Sequence, residues 1–259
     1  MKSFFENDEI EGEGIQAFMS RVGGKSKLKK RIVDKEFPSN YVDLIYVEPF
    51  IGAGHVYFYK EPSVKEVIND FDKDVVDIFK GMKKYSGEKI SNDIKGTYNK
   101  KMYKEIIEAK PTNPYNKFLQ LLLRYKLSFF GKGKTFGAKR HLNPNFGSKY
   151  NNRMRTTTIL NKDFKYLIKK YDSPNTLFYL DPPYEINTKG MYTHDNVPIK
   201  DVYDAVKNIK GYFIISYNDS KEAKELFKDY TIKKVQTKYT SGLVGGQTRN
   251  ITELIIKNY

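Results

Sequence analysis

The run Leu177-Phe-Tyr-Leu180 puts four apolar side chains on consecutive positions and then stops at Asp181-Pro182-Pro183-Tyr184. A strand that is apolar at every position is buried on both faces, the situation of a sheet covered by helices on each side. The two prolines have fixed φ and no N–H, so the ladder ends there and the exit is stiff. Alternating signals surround this run: strands are expected over 42–48, 64–69, 156–160, 176–180, 212–217, 230–238 and 251–256, and helices over 26–37, 55–60 and 72–84. Residues 92–130 read as mainly helical, with Phe118-Leu-Gln-Leu-Leu-Leu123 as their buried stripe. The pattern predicts an α/β fold, a twisted mixed sheet with helices on both faces. An acidic, loosely held tail is expected over 1–17, the sheet domain over 18–80 and 155–259, and a mainly helical insertion over 81–154.

Charge narrows the partner. Among 259 residues, 46 Lys and Arg stand against 31 Asp and Glu, a formal +15, which favours a polyanion. Residues 126–170 carry twelve basic side chains and one acid, Asp163, so this segment holds eleven of the fifteen net charges. A solvated lysine-rich face would show the same excess. Here, however, Gly131, Gly133, Gly137 and Gly147 alternate with Phe129, Phe130, Phe136, Phe146 and Tyr150, a pattern suited to following phosphates and reaching bases. The chain has no Cys, which excludes disulfides, thiolate zinc sites and sulfur nucleophiles and fits a reducing compartment. His55, His141 and His194 lie far apart, so no metal site is expected. No apolar run approaches the ~20 residues of a membrane span. Glu6, Asp8, Glu9, Glu11 and Glu13 stand where a signal peptide would be basic. These features predict an intracellular protein, neither secreted nor membrane-bound.

Glu48-Pro-Phe-Ile-Gly-Ala-Gly54 follows one strand and opens a helix, the place where α/β sheets bind nucleotide-like ligands. A dinucleotide loop needs a third glycine at 57, where Tyr57 stands. Two Walker-like triplets, Gly24-Lys25-Ser26 and Gly133-Lys134-Thr135, lack their upstream glycine, with Met19 and Ser128 in its place. The remaining ligand is an adenosine carrying an amino acid and no phosphate, S-adenosylmethionine. Gly52 and Gly54 allow close backbone approach, and Asp70, sixteen residues past Gly54 at the next strand's end, can accept from ribose hydroxyls. The same residues also fit ordinary turns and an Asp70 helix cap, and the sequence does not separate the two readings.

At Asp181-Pro182-Pro183-Tyr184 the chemistry is more specific. The Asp181 carboxylate and the Pro182 carbonyl are two fixed acceptors, matching the two N–H donors of an exocyclic base amine, whose lone pair is otherwise delocalised. Accepting both hydrogens favours a pyramidal, nucleophilic nitrogen, and the carboxylate stabilises the positive charge that forms on it. Holding amine and methyl group in line can lower the barrier by about 7–11 kcal/mol. A duplex base must be flipped out, and stacking on Tyr184 is worth roughly 1–3 kcal/mol. Read alone, the tetrapeptide could also be a rigid turn with an Asp cap.

With these motifs in order, the sequence resembles the Dam-type (D12 class) DNA N6-adenine methyltransferases. Gly23-Gly24-Lys25 resembles that family's N-terminal element, Glu48 to Gly54 its cofactor loop and Val67-Ile-Asn-Asp70 its ribose-binding strand end. Asp163-Phe164 is similar to its adenine-holding pair, Asp181 to Tyr184 to its catalytic motif, and Gly245-Gly246 to Glu253-Leu254 to its ending. The resemblance spans about residues 20–259. It implies a Rossmann-like S-adenosylmethionine-dependent fold that releases S-adenosylhomocysteine and methylates a flipped-out adenine in double-stranded DNA, in a GATC-like site. It implies catalytic roles for Asp181, Pro182, Pro183 and Tyr184, and cofactor contacts for Gly23, Gly24, Lys25, Glu48, Phe50, Gly52, Gly54, Asp70, Asp163 and Phe164. Residues 81–154 would be the target-recognition lobe. Lys126, Lys132, Lys134, Lys139, Arg140, Arg153, Arg155 and Arg249 are the DNA-contact candidates. A cognate restriction endonuclease and a monomer or weak dimer are in keeping with it. Two positions depart from the family: Arg21 replaces a usual aromatic, and Phe129-Phe130-Gly131-Lys132 replaces an Asn-Gly-Leu turn and its Arg. The competing readings are an RNA N6-adenine methyltransferase and a binding protein that has lost turnover.

Overall fold

A computed structural model describes residues 14–21, 23–183, 196–239 and 249–259. Its strands are β1 (Ile45–Glu48), β2 (Lys65–Asn69), β3 (Gly96–Tyr98), β4 (Arg140–Leu142), β5 (Thr158–Leu160), β6 (Thr176–Leu180), β7 (Tyr212–Asn218), β8 (Thr231–Tyr239) and β9 (Arg249–Lys257). Seven of them form one sheet in the order β5-β2-β1-β6-β7-β9-β8. The five from β5 to β7 are parallel, and β9 runs antiparallel between β7 and β8. This is the mixed α/β sheet expected from the sequence. From β1 the chain builds outward to β2 and β5, then returns to β6 on the other side. The order therefore reverses between β1 and β6, and a crevice opens at their carboxyl ends.

The helices are α1 (Lys29–Arg31), α2 (His55–Tyr59), α3 (Lys73–Lys84), α4 (Gly87–Ile94), α5 (Lys100–Glu108), α6 (Pro114–Leu127), α7 (Lys149–Met154), α8 (Phe164–Tyr171), α9 (Ile199–Val206) and α10 (Lys221–Leu226). Burial of β6 is complete on both faces. Leu177 and Tyr179 enter one core with Phe58, Phe79 and Ile68, while Phe178 and Leu180 enter the other with Leu167, Val202 and Phe227. The helix expected over 26–37 is shorter: its first residues form a turn in which Leu28 and Lys29 donate to the Lys25 carbonyl, and α1 passes into a π turn over Ile32–Glu36. Helix α3 runs unbroken through residue 80, so the chain leaves the sheet layer after Lys84.

The segment from α4 to α7, with the small β3–β4 ribbon, shares the first core: Phe118, Leu122, Tyr150 and Met154 pack with residues of α2 and α3. Residues 14–17, expected in a loose tail, are held in place. The Gln16 carbonyl accepts from Tyr150 at 2.8 Å, and a Cβ on Gly14 would lie 2.3 Å from the Tyr59 carbonyl oxygen. The rest of that tail, 1–13, is outside the described residues.

Two DNA-contact candidates are corrected by this packing. The Arg153 side chain is 5% exposed, lies over the Tyr57 ring at 4.0 Å and forms a bidentate pair with Glu66, which also accepts from Lys60 at 2.6 Å. A guanidinium whose charge is already met inside the protein has none to offer a phosphate. Lys126 Nζ turns inward to the Phe18 carbonyl at 2.7 Å, and burial lowers its pKa to about 8. Both cations fasten the insertion to the sheet domain.

Replacing Arg153 by Met leaves Glu66 and Lys60 to share a buried site built for three charges. Denaturant unfolding should show a loss of about 3–5 kcal/mol. DNA affinity of the folded fraction should stay within about twofold of wild type; a larger loss of affinity at unchanged stability would restore Arg153 as a contact.

Candidate active site

A cavity of about 340 Å³ opens at the carboxyl ends of β1, β2 and β6. This lies within the range of small-ligand sites. All ten expected cofactor residues line it: Gly23, Gly24, Lys25, Glu48, Phe50, Gly52, Gly54, Asp70, Asp163 and Phe164. Asp181, Pro182 and Pro183 line it too. Tyr184, the fourth residue of the expected catalytic motif, is outside the described residues.

The glycine loop follows from its backbone. Gly52 and Gly54 have φ of 50° and 75°, the left-handed region that side chains disfavour. A Cβ on Gly54 would sit 3.0 Å from the Phe79 ring, whereas one on Gly52 would meet nothing within 4 Å. The Gly52 backbone therefore borders open space, as a close-approaching ligand requires. Asp70 Oδ2 accepts from the Gly52 N–H at 2.9 Å, and its Oδ1 accepts from the Asp72 N–H at 2.9 Å. The cap of α3 is Asp72, whose carboxylate accepts from the Asp74 N–H. Asp70 instead braces the loop while lining the cavity, and each of its oxygens has capacity to accept a further hydrogen bond. Tyr57, which stands where a dinucleotide loop would need glycine, is fully buried, with its hydroxyl 2.7 Å from Thr157 Oγ1.

Asn69 ties the cavity's walls together. Its amide donates to the Pro49 and Lys162 carbonyls at 2.9 and 3.0 Å and accepts from the Lys162 N–H at 2.8 Å. That joins the loop after β1, the end of β2 and the loop before α8. Asp163 caps α8 by accepting from the Lys165 N–H, and Phe164 packs on Phe50 with ring centroids 5.1 Å apart.

Electrostatics concentrate at Asp181. Lys25 Nζ lies 2.7 Å from Asp181 Oδ1, 3.6 Å from Glu253 Oε2 and 3.1 Å from the Gly23 carbonyl. Withdrawal from water raises the Asp181 pKa to about 6, with Lys25 opposing the rise and Glu253 adding to it. Burial also holds Glu48 well above the ordinary carboxylate value, although the Tyr46 hydroxyl donates to it at 2.6 Å. His55 is pushed down to about 4 by burial and nearby lysines, so it is neutral near pH 6. The Pro183 carbonyl accepts from the Val197 N–H at 3.0 Å, which anchors the chain's return to the motif.

Glu48, Asp70 and Asp181 line the cavity where a cationic ligand would lie, Glu253 stands 3.6 Å from Lys25 Nζ, and the Gly52 opening provides close approach. These features fit S-adenosylmethionine, whose sulfonium and ammonium groups are positive. Among the described residues no group of three or more His, Cys, Asp or Glu is placed to hold a metal, and no helix is long and apolar enough to cross a membrane.

The remaining basic candidates divide by exposure. Lys134, Lys139, Arg140 and Arg155 are exposed, and Lys132 is half-buried. Arg140 stands on β4 and donates to the Lys126 carbonyl at 2.8 Å, while the Lys126 ammonium points inward to Phe18. Arg249 begins β9, and its side chain is outside the described residues. Two site residues were missed from sequence. Asn69 was hidden beside the more conspicuous Asp70. Glu253 left a signal, a carboxylate inside the apolar strand 251–256.

A family model of the D12 class N6 adenine-specific DNA methyltransferases matches residues 22–132 and 125–241. The type II methyltransferase M1.LlaDCHI of Lactococcus lactis subsp. cremoris is 26% identical over 280 residues, covering 95% of this chain and 96% of that protein. M.CviBI of Paramecium bursaria Chlorella virus NC1A is 27% identical over 263 residues, covering 92% and 97%. M.MjaIII of Methanocaldococcus jannaschii is 24% identical over 292 residues, covering 95% and 99%. Both the match along the chain and the motifs gathered around one cavity lead to the same assignment: the chain belongs to the D12 class N6 adenine-specific DNA methyltransferases.

Proposed function

We propose that, in this S-adenosylmethionine-dependent DNA adenine methyltransferase, Asp181 and the Pro182 carbonyl hold the target amine while Tyr184 stacks on the extruded base. The observation that carries this reading is the shared cavity: Asp181 and Pro182 open on the same space as the ten cofactor residues. S-adenosylmethionine supplies an electrophilic methyl group on a sulfonium. Gly52 and Gly54 admit its close approach, Asp70 receives ribose hydroxyls, and Phe50 and Phe164 form an aromatic wall beside Asp163. An ionised Asp181 is an acceptor for one N6 hydrogen and stabilises the positive charge that grows on N6 as it is methylated. Protonation would make one of its oxygens a donor and remove that stabilisation.

The insertion is the target-recognition lobe in this reading. Lys132, Lys134, Lys139, Arg140 and Arg155 supply its phosphate and groove contacts, supported by the exposure of Lys134, Lys139 and Arg140 on or before β4 and of Arg155 at the end of α7. The type II designation of the relatives supports work beside a cognate endonuclease, and a DNA substrate supports an intracellular setting. A monomer or weak dimer is the assembly we propose.

Asp181→Ala should bind S-adenosylhomocysteine within about threefold of wild type by calorimetry and lose methyl transfer by on the order of 10²–10⁴-fold; near-normal turnover refutes the assigned role. Because the Asp181 pKa is raised to about 6, its acceptor form is lost as pH falls through that value. Turnover at saturating substrates should drop about tenfold per unit below it, and full turnover at pH 4.5 contradicts the role. DNA affinity should fall steeply with salt, with a log–log slope of about −0.9 per contacted phosphate. The double change Lys139→Gln and Arg140→Gln should flatten that slope by about 2; an unaltered slope places the contacts elsewhere.

A further inference from the structure

We infer that Glu253 is a positioning residue for methyl transfer, whose carboxylate balances Lys25 so that Asp181 keeps a net negative field toward the target amine. This rests on the reading that Asp181 receives that amine.

The inference begins from a conflict at Asp181. A carboxylate already bonded to an ammonium at 2.7 Å forms a neutral pair, and a neutral pair offers little to a cation developing on N6. Glu253 changes the count. With its Oε2 3.6 Å from the same Lys25 Nζ, the cluster holds two carboxylates and one ammonium, leaving one net negative charge around Lys25, beside the cavity that Lys25 and Asp181 line. Lys25 is 2% exposed and Glu253 fully buried, so water screens the interaction little.

Glu253 is also an expensive residue for a strand to carry at this point. It lies on β9, opposite Asn218 of β7 and Val235 of β8, and is followed by Leu254, Ile255 and Ile256, all core residues. An apolar or hydroxyl side chain would satisfy the strand without burying a carboxylate. Its place beneath Lys25 supplies a use for the charge. Among the described residues, Glu48 from β1 and Tyr179 from β6 also act on Asp181, and Lys25 provides the positive charge that meets the acid, at 2.7 Å. Glu253 pushes the Asp181 pKa up and Lys25 holds it down, as this geometry requires.

The test measures kcat from pH 5 to 8.5 at saturating DNA and S-adenosylmethionine for wild type, Glu253→Gln, Lys25→Met and the double variant, with S-adenosylhomocysteine affinity read separately by calorimetry. Glu253→Gln should lower kcat at pH 8 at least tenfold, leave the KM for DNA and the S-adenosylhomocysteine Kd within about threefold, and move the acid limb to lower pH. Adding Lys25→Met to Glu253→Gln restores the net charge and should recover kcat at least threefold over Glu253→Gln. An unimpaired Glu253→Gln enzyme, an unmoved limb or an absence of recovery overturns the inference. Should Glu253→Gln alone fail to bind S-adenosylhomocysteine, Lys25→Met compared with the double variant decides: loss of Glu253 must still move the limb downward, and an unmoved limb overturns it. Asp181→Asn is the control for the underlying reading. If it turns over normally, Asp181 has no such role; if it is inactive while Glu253→Gln is not impaired, only the Glu253 inference fails.

Discussion

The ion pair between Lys25 and Asp181 is the contact on which this architecture turns. It joins a loop near the N-terminus to the end of the central strand β6 and places a carboxylate, its pKa raised to about 6, on a cavity lined by the glycine loop. Burial of β6 on both faces fixes where that carboxylate emerges, and two prolines keep the exit from drifting. Around it, the Asn69 amide and the Asp70 carboxylate hold three loops in one arrangement through five hydrogen bonds. The site is thus a rigid edge of the sheet, with its acids crowded where a cationic cofactor offsets their repulsion.

The lysines and arginines divide between interior and surface. Lys25, Lys60, Lys126 and Arg153 are committed inward, each to an acid or a carbonyl, and all but Lys60 join segments distant in sequence. Lys134, Lys139, Arg140 and Arg155 remain at the surface, where a phosphate can reach them. A basic segment thus commits some of its charges to internal partners and leaves others at the surface.

Much of this was legible in advance. Strand 176–180 was bounded correctly because an apolar run closed by Pro-Pro admits few alternatives. Seven of the ten proposed cofactor residues could be named because they sit at or just after a strand end, where local pattern and chemistry coincide; Gly23, Gly24 and Lys25, ahead of the first strand, were named from the family resemblance. Arg153 and Lys126 were misread for a physical reason: charge along a chain says nothing of whether a counter-charge is met inside. Glu66 lies 87 residues before Arg153, and the Phe18 carbonyl 108 before Lys126, separations that only the fold closes. Asp70 was open as either a ribose acceptor or the cap of the following helix, and the cap is Asp72, whose carboxylate accepts from the Asp74 N–H. The helix expected over 26–37 begins late because Lys25 and its turn serve the site.

The central claim is that Asp181 is an acceptor whose pKa is raised by partial withdrawal from water, a rise that Lys25 opposes. Carbonyl-selective ¹³C NMR of the Asp181 side chain, assigned through Asp181→Asn, measures this directly. The account predicts a midpoint near 6 in the wild-type protein and a higher midpoint in Lys25→Met, since Lys25 opposes the burial-driven rise. A midpoint near 3.8, the ordinary aspartate value, with no response to Lys25→Met would contradict it.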